Sequence, residues 1–149
     1  MGKIRDVQRS KIYKAENEVQ LGRRLETVQE MQAFCDAITR SRWWRNRWPH
    51  ISHIEVRDGR GRRSATGYQA GGLIKRNGVI KMPSWSRNEL TVLHEISHVV
   101  SISWGEPDHG RLFARNYLAL VTRFLSKQHG TQLRRAYRKY RVKWNKKRS

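Results

Sequence analysis

The chain has 149 residues, and its 32 Lys and Arg against 12 Asp and Glu leave a formal charge of +20 at pH 7. That length suits one domain with room for a basic extension, and such a charge attracts polyanions, with nucleic acid the first partner class and an anionic membrane the second. No run approaches the roughly 18 to 20 apolar residues of a membrane span, the opening residues 1–6 lack an apolar signal core, and Cys35 is the single cysteine. A cytoplasmic protein without membrane partners is therefore expected, with no intrachain disulfide and no Cys-rich zinc ribbon, so any metal must be held by His, Asp or Glu.

In chain order, Leu21, Leu25, Val28, Met31 or Gln32, Cys35 and Ile38 recur at helical spacing. They predict an amphipathic helix or helix pair over residues 16–42, with Cys35 a small core residue on its apolar stripe. Residues 40–48 interleave cations with large aromatics. Arg42, Arg45 and Arg47 are candidate phosphate contacts there, and the Trp residues fit base stacking and core anchoring equally well. Pro49 breaks the helix, and residues 50–56 read as a strand with Ser52, Ile54 and Val56 on one face, although Ile51 spoils the alternation. His50 and His53, three apart on an extended segment, face opposite ways and do not share a metal.

A basic turn over 57–63 leads to a short strand near 65–69 and the flexible Ala70-Gly71-Gly72. Asn77-Gly78, flanked by 73–76 and 79–82, predicts a β-hairpin turn, because this pair tolerates positive φ at both central positions. Pro83 ends the second strand. Residues 86–89, Ser-Arg-Asn-Glu, then fit a capping box in which Ser86 and Glu89 each satisfy a free amide at the next helix start.

That helix carries His94-Glu95-Ile96-Ser97-His98. Four residues is just over one helical turn, so His94 and His98 share a face and can offer imidazole nitrogens to one ion, with Glu95 beside it. Val92, Ile96, Val99 and Val100 lie largely on the other side as a core face. At this chain's His and Glu frequencies, a chance match to the motif has a probability of about 0.01. A catalytic zinc usually takes three protein ligands and keeps a fourth position for water. His109, eleven residues on, is the favoured third ligand over Glu106 and Asp108, since imidazole suits Zn²⁺ and Asp108 can serve as the N-cap of a following helix with the stripe Phe113, Tyr117, Val121 and Phe124.

The segment His94 to His98 followed by His109-Gly110-Arg111-Leu112-Phe113 resembles the HExxH and HGxxF pair of the SprT-like zinc metalloproteases. Residues 5–16 and 82–98 also resemble an uncharacterised group of bacterial and phage proteins regarded as metallohydrolases, so that the resemblance spans about residues 5–125. It implies an α+β, compact zincin-like domain with an N-terminal helix, a small sheet with a hairpin, an active-site helix and C-terminal helices. It further implies His94, His98 and His109 as zinc ligands, Glu95 as general base, and a protein or peptide substrate. SprT-like proteins often end in a cysteine-bearing zinc ribbon, whereas this chain ends in a basic aromatic segment.

Nine Lys or Arg and no acid fall in residues 134–149. If residues 134–144 are helical, Leu133, Tyr137, Tyr140 and Trp144 form one stripe, better suited to docking on a core than to stacking on bases. Arg134, Arg135, Arg138, Lys139, Arg141 and Lys143 would remain for phosphates, with Gly130 as the joint before them. The expected organisation is a metallopeptidase domain over 1–130 and an extension over 131–149. The expected function is a zinc-dependent endopeptidase associated with nucleic acid, DNA favoured over RNA. The alternative is a non-enzymatic nucleic-acid-binding protein with a structural or vestigial zinc site.

Overall fold

The computed structural model describes residues 5–61, 64–71, 76–102 and 107–145. Among them the α+β class is realised by six α-helices and one mixed three-stranded sheet. In chain order the elements are α1 (Arg9–Glu16), α2 (Val28–Arg40), α3 (Arg42–Arg47), β1 (Ile51–Asp58), β2 (Thr66–Gly71), β3 (Arg76–Met82), α4 (Glu89–Val100), α5 (Arg111–Phe124) and α6 (Lys127–Lys139). The chain divides into two units, residues 21–100 and residues 1–20 with 101–149.

In the unit of residues 21–100, the predicted long amphipathic helix is confined to α2. Thr27 caps it by accepting from the Glu30 amide at 3.0 Å. Residues 21–25 are not helical: Gly22 takes a φ of 75°, and this stretch pairs its backbone with residues 87–90. Leu21 is accordingly exposed while Leu25 is buried. Cys35 is fully buried, and desolvation pushes its thiol up, so it behaves as a small apolar side chain. Trp44 and Trp48 are core anchors. The Trp44 indole is buried and donates to the Ile51 carbonyl at 2.7 Å, which satisfies its one polar atom.

The sheet order is β1-β3-β2, with β3 parallel to β1 and antiparallel to β2. Strand β1 buries both Ile51 and Ile54, which strict alternation forbids. A register shift between these two residues resolves the conflict by turning the strand. A hairpin pairing is present, but Asn77-Gly78 is not its turn. Both residues lie inside β3, opposite Ala70 and Gln69 of β2. Residues 72–75, which include all but Arg76 of the predicted first strand of that hairpin, lie outside the described residues, as do Arg62 and Arg63 of the basic turn. A β-carbon on Gly78 would stand 2.8 Å from Val99 Cγ1 and 2.9 Å from Ile54 Cγ1, so glycine is there to let a helix approach the sheet.

Strand β3 is central and paired on both sides, so it offers no free edge to an extended substrate. The edges are β1 and β2. Part of the β1 edge is closed by α2, where the Gln32 amide donates to the Ile54 carbonyl at 2.7 Å and its oxygen accepts from the Val56 amide at 2.8 Å, imitating a neighbouring strand.

The other unit is helical. Helix α6 packs on both α1 and α5, and the buried side chains include Ile12, Phe113, Tyr117, Val121, Leu133 and Tyr137. The Tyr137 hydroxyl donates to the Ala114 carbonyl at 2.9 Å, and burial holds this phenol well above its usual range. Gly130 is not a joint: it is buried inside α6, where an added β-carbon would stand 2.9 Å from the Thr122 β-carbon of α5. The predicted helix over 134–144 stops at Lys139. Arg141 then takes a φ of 57°, and the Val142 and Arg141 amides return to the carbonyls of Tyr137 and Arg138. This is a Schellman-type ending with arginine where glycine is usual. Tyr137 and Trp144 still pack together, tilted by 43° with centroids 5.5 Å apart, so the aromatic stripe docks rather than projects.

Candidate metal centre

Helix α4 carries the His-Glu-Ile-Ser-His motif, and its start is fixed differently from the predicted capping box. Ser86 lies in a 3-10 turn (Ser84–Ser86) and donates to the Pro83 carbonyl at 2.7 Å, whereas Asn88 Oδ1 accepts from the Thr91 amide at 2.9 Å. The amides of Glu89 and Leu90 donate to the carbonyls of Arg23 and Leu21, and the Glu89 carboxylate accepts from the Arg23 amide at 2.6 Å. First-turn amides that would otherwise lack partners are thus satisfied by a passing segment of chain. Arg87, almost buried, bridges the ends of two strands, with one nitrogen 2.9 Å from Asp58 Oδ1 and 3.4 Å from the Met82 carbonyl.

The apolar side of α4 is as predicted: Val92, Ile96 and Val99 are fully buried and Val100 is buried, and Leu93 joins them. His94 and Glu95 are each 5% exposed, His98 is half-buried, and the two imidazoles stand 5.0 Å apart by their centroids. Gly67 of β2 sets how closely the sheet approaches this helix. A β-carbon there would overlap the Glu95 carbonyl oxygen and lie 3.0 Å from its carbon. Both are backbone atoms and cannot swing away, so Gly67→Ala should force β2 from α4. The expected cost is about 1–3 kcal/mol, read as a fall in Tm of roughly 2–4 °C per kcal/mol. A melting curve matching wild type would mean that the strand can shift without penalty.

His109 lies two residues before α5 and is 5% exposed. Its Nδ1 is 2.7 Å from Asp6 Oδ2, and its backbone amide donates to Asp6 Oδ1 at 3.2 Å. The buried Gln8 donates from Nε2 to the His109 carbonyl at 3.1 Å, and the ring stands beside Tyr13 and Phe113, with centroids 5.4 and 4.9 Å away. Asp108 does not play its expected role. It is exposed, and the N-cap of α5 is Gly110, without a side-chain hydrogen bond. Glu106 lies outside the described residues. Asp6 and Gln8 were missed as site residues, because a contact across 103 positions leaves no periodic trace in the sequence.

His94, His98 and His109 each offer one ligand atom, and these atoms lie within 4.8 Å of one another. The donor set suits zinc: three neutral imidazoles with one position left open is a common catalytic arrangement.

The cationic candidates fall in both units. Arg42, Arg45 and Arg47 are exposed, and Arg47 lies over the Trp43 ring at 4.7 Å. Arg134, Arg135, Arg138, Arg141 and Lys143 are exposed along and just beyond α6, whereas Lys139 pairs with Glu18 at 2.6 Å. Lys146, Lys147 and Arg148 lie outside the described residues. No helix among the described residues is long and apolar enough to cross a membrane. No protein-family model, curated protein or solved structure matches this chain.

Proposed function

We propose that this chain is a zinc-dependent endopeptidase of zincin type that works in association with nucleic acid. The observation that carries the reading is the set of three histidine ligand atoms within 4.8 Å, two of them from the helix that also bears Glu95. His94, His98 and His109 would hold the ion. Zinc held there supplies a water acidified towards neutrality and polarisation of a substrate carbonyl. The Glu95 carboxylate accepts the proton of the attacking water and passes it to the departing amide nitrogen. Its near-complete burial keeps bulk water from competing for that proton. Strand β2, an edge of the sheet whose Gly67 stands against Glu95, is suited to receive an extended peptide backbone in place of the central β3.

Nucleic-acid association is supported by the exposed cations around α6 and by the overall charge of +20. Deleting residues 134–149 would remove the buried Ala136, Tyr137 and Val142 and so damage the fold, which makes charge substitution the better probe. The combined change Arg134→Gln, Arg135→Gln and Arg138→Gln should weaken DNA binding. It should also flatten the slope of log K against log salt by about 0.9 for each phosphate that is no longer neutralised. An unchanged slope would place the DNA-binding surface elsewhere.

The deciding experiment is proteolysis of an unfolded protein by zinc-loaded and metal-stripped preparations, each with and without DNA. Zinc-dependent cleavage stimulated by DNA is expected. DNA binding with no cleavage after zinc loading would favour the non-enzymatic binding protein, and cleavage indifferent to DNA would remove the nucleic-acid part.

A further inference from the structure

We infer that Asp6 is the positioning residue for the third imidazole: it holds His109 in the tautomer with the proton on Nδ1, and so directs Nε2 towards the metal. The inference rests on the proposed zinc site, but its argument comes from residues 5–20 and 107–145. Asp6 engages one residue at two points, through Oδ2 to the ring Nδ1 at 2.7 Å and through Oδ1 to the backbone amide at 3.2 Å. A carboxylate engaged at both points fixes the backbone position of His109 and the rotation of its ring together. An ionised carboxylate only accepts hydrogen bonds, so a neutral imidazole facing it must carry its proton on Nδ1, leaving the Nε2 lone pair for a ligand. A ligating histidine usually donates its other ring nitrogen to a carboxylate or carbonyl in this way, which raises its basicity and fixes its tautomer.

The support behind Asp6 is also specific. Two residues on, Gln8 is buried and donates to the His109 carbonyl at 3.1 Å, so residues 6–8 grip His109 at its ring, amide and carbonyl. Gln8 is itself held by the chain beyond α6, accepting from the Lys143 amide at 2.6 Å and donating to its carbonyl at 3.3 Å. Arg111 adds a bond from Nη1 to the Asn145 carbonyl at 3.1 Å. His94 and His98 are spaced by their own helix, whereas His109 stands before α5 in a turn and needs this external hold.

The test uses the full-length chain and two readouts. In metal-free wild type at about pH 8, above the ordinary histidine range, long-range ¹H–¹⁵N spectra of the imidazoles should show His109 with its proton on Nδ1. Asp6→Ala should lose that single tautomer. By chelator competition, the same variant should bind zinc roughly 10–100-fold more weakly. Asp6→Asn keeps an acceptor of similar shape and should fall between the two, which guards against an Asp6→Ala protein that does not fold. A His109 ring protonated on Nε2 in wild type, or a folded Asp6 variant with undiminished zinc affinity, would overturn the assignment. If wild type binds no zinc, the proposed function fails, while the tautomer spectrum still decides what Asp6 does.

Discussion

Glu95→Gln is expected to lower peptide hydrolysis by about 10²–10⁴-fold, the usual contribution of a positioned general base, while zinc content stays at the wild-type level. The amide matches the carboxylate in shape but cannot take a proton at neutral pH. Glu95 sits beside His94 in sequence and on the same helix as both motif histidines, yet it is not among the three residues whose ligand atoms converge. Catalysis and metal retention should therefore separate in this variant. Initial rates on an unfolded protein substrate, paired with elemental analysis, make the measurement. Hydrolysis at the wild-type rate would remove Glu95 from the mechanism, and loss of zinc together with activity would mean that it holds the site rather than the proton.

His109→Ala is expected to take zinc from about one per chain to little or none after dialysis against a weak chelator. Changes to the groups behind a ligand alone cost roughly 10–100-fold in metal affinity, so removal of a ligand should cost more. Zinc at 100 times its Kd adds about 2.7 kcal/mol to stability, which for a chain of this size is a rise of roughly 5–10 °C in Tm. Wild type should show that rise and His109→Ala should not. His50→Ala is the control, since His50 is exposed and outside the converging group. An equal rise in the His109 variant would place the zinc elsewhere.

Much of the candidate site could be read from residue order because its geometry is local. A spacing of four puts His94 and His98 on one helical face whatever surrounds them, and the apolar residues between them mark the side that meets the core. The same periodicity placed Cys35 inside, and of Met31 and Gln32, which it left open, the folded chain buries Met31. Local rules misled where a distant partner offered a better solution. Residues 21–25 continue an apolar spacing that suggests helix, but they are more valuable as backbone partners for the start of α4. Asn77-Gly78 has turn chemistry, yet Gly78 serves the close approach of Val99 and Ile54 instead. Ser86 and Glu89 have the spacing of a capping box, and Asn88 takes the capping position while Glu89 reaches back to Arg23.

Residue order alone therefore pointed to the α+β class, the shared helical face of His94 and His98, the burial of Cys35 and the basic character of the chain's end. The central place of β3, the approach of Gly67 to Glu95, the hold of Asp6 and Gln8 on His109, and the docking of Tyr137 all waited on the folded chain. The physical reason is range. Helical and strand periodicities act over a few residues and leave their mark in order and spacing. A strand's neighbours and a histidine's hydrogen-bond partner are instead chosen by burial and polar satisfaction among residues far apart in the chain.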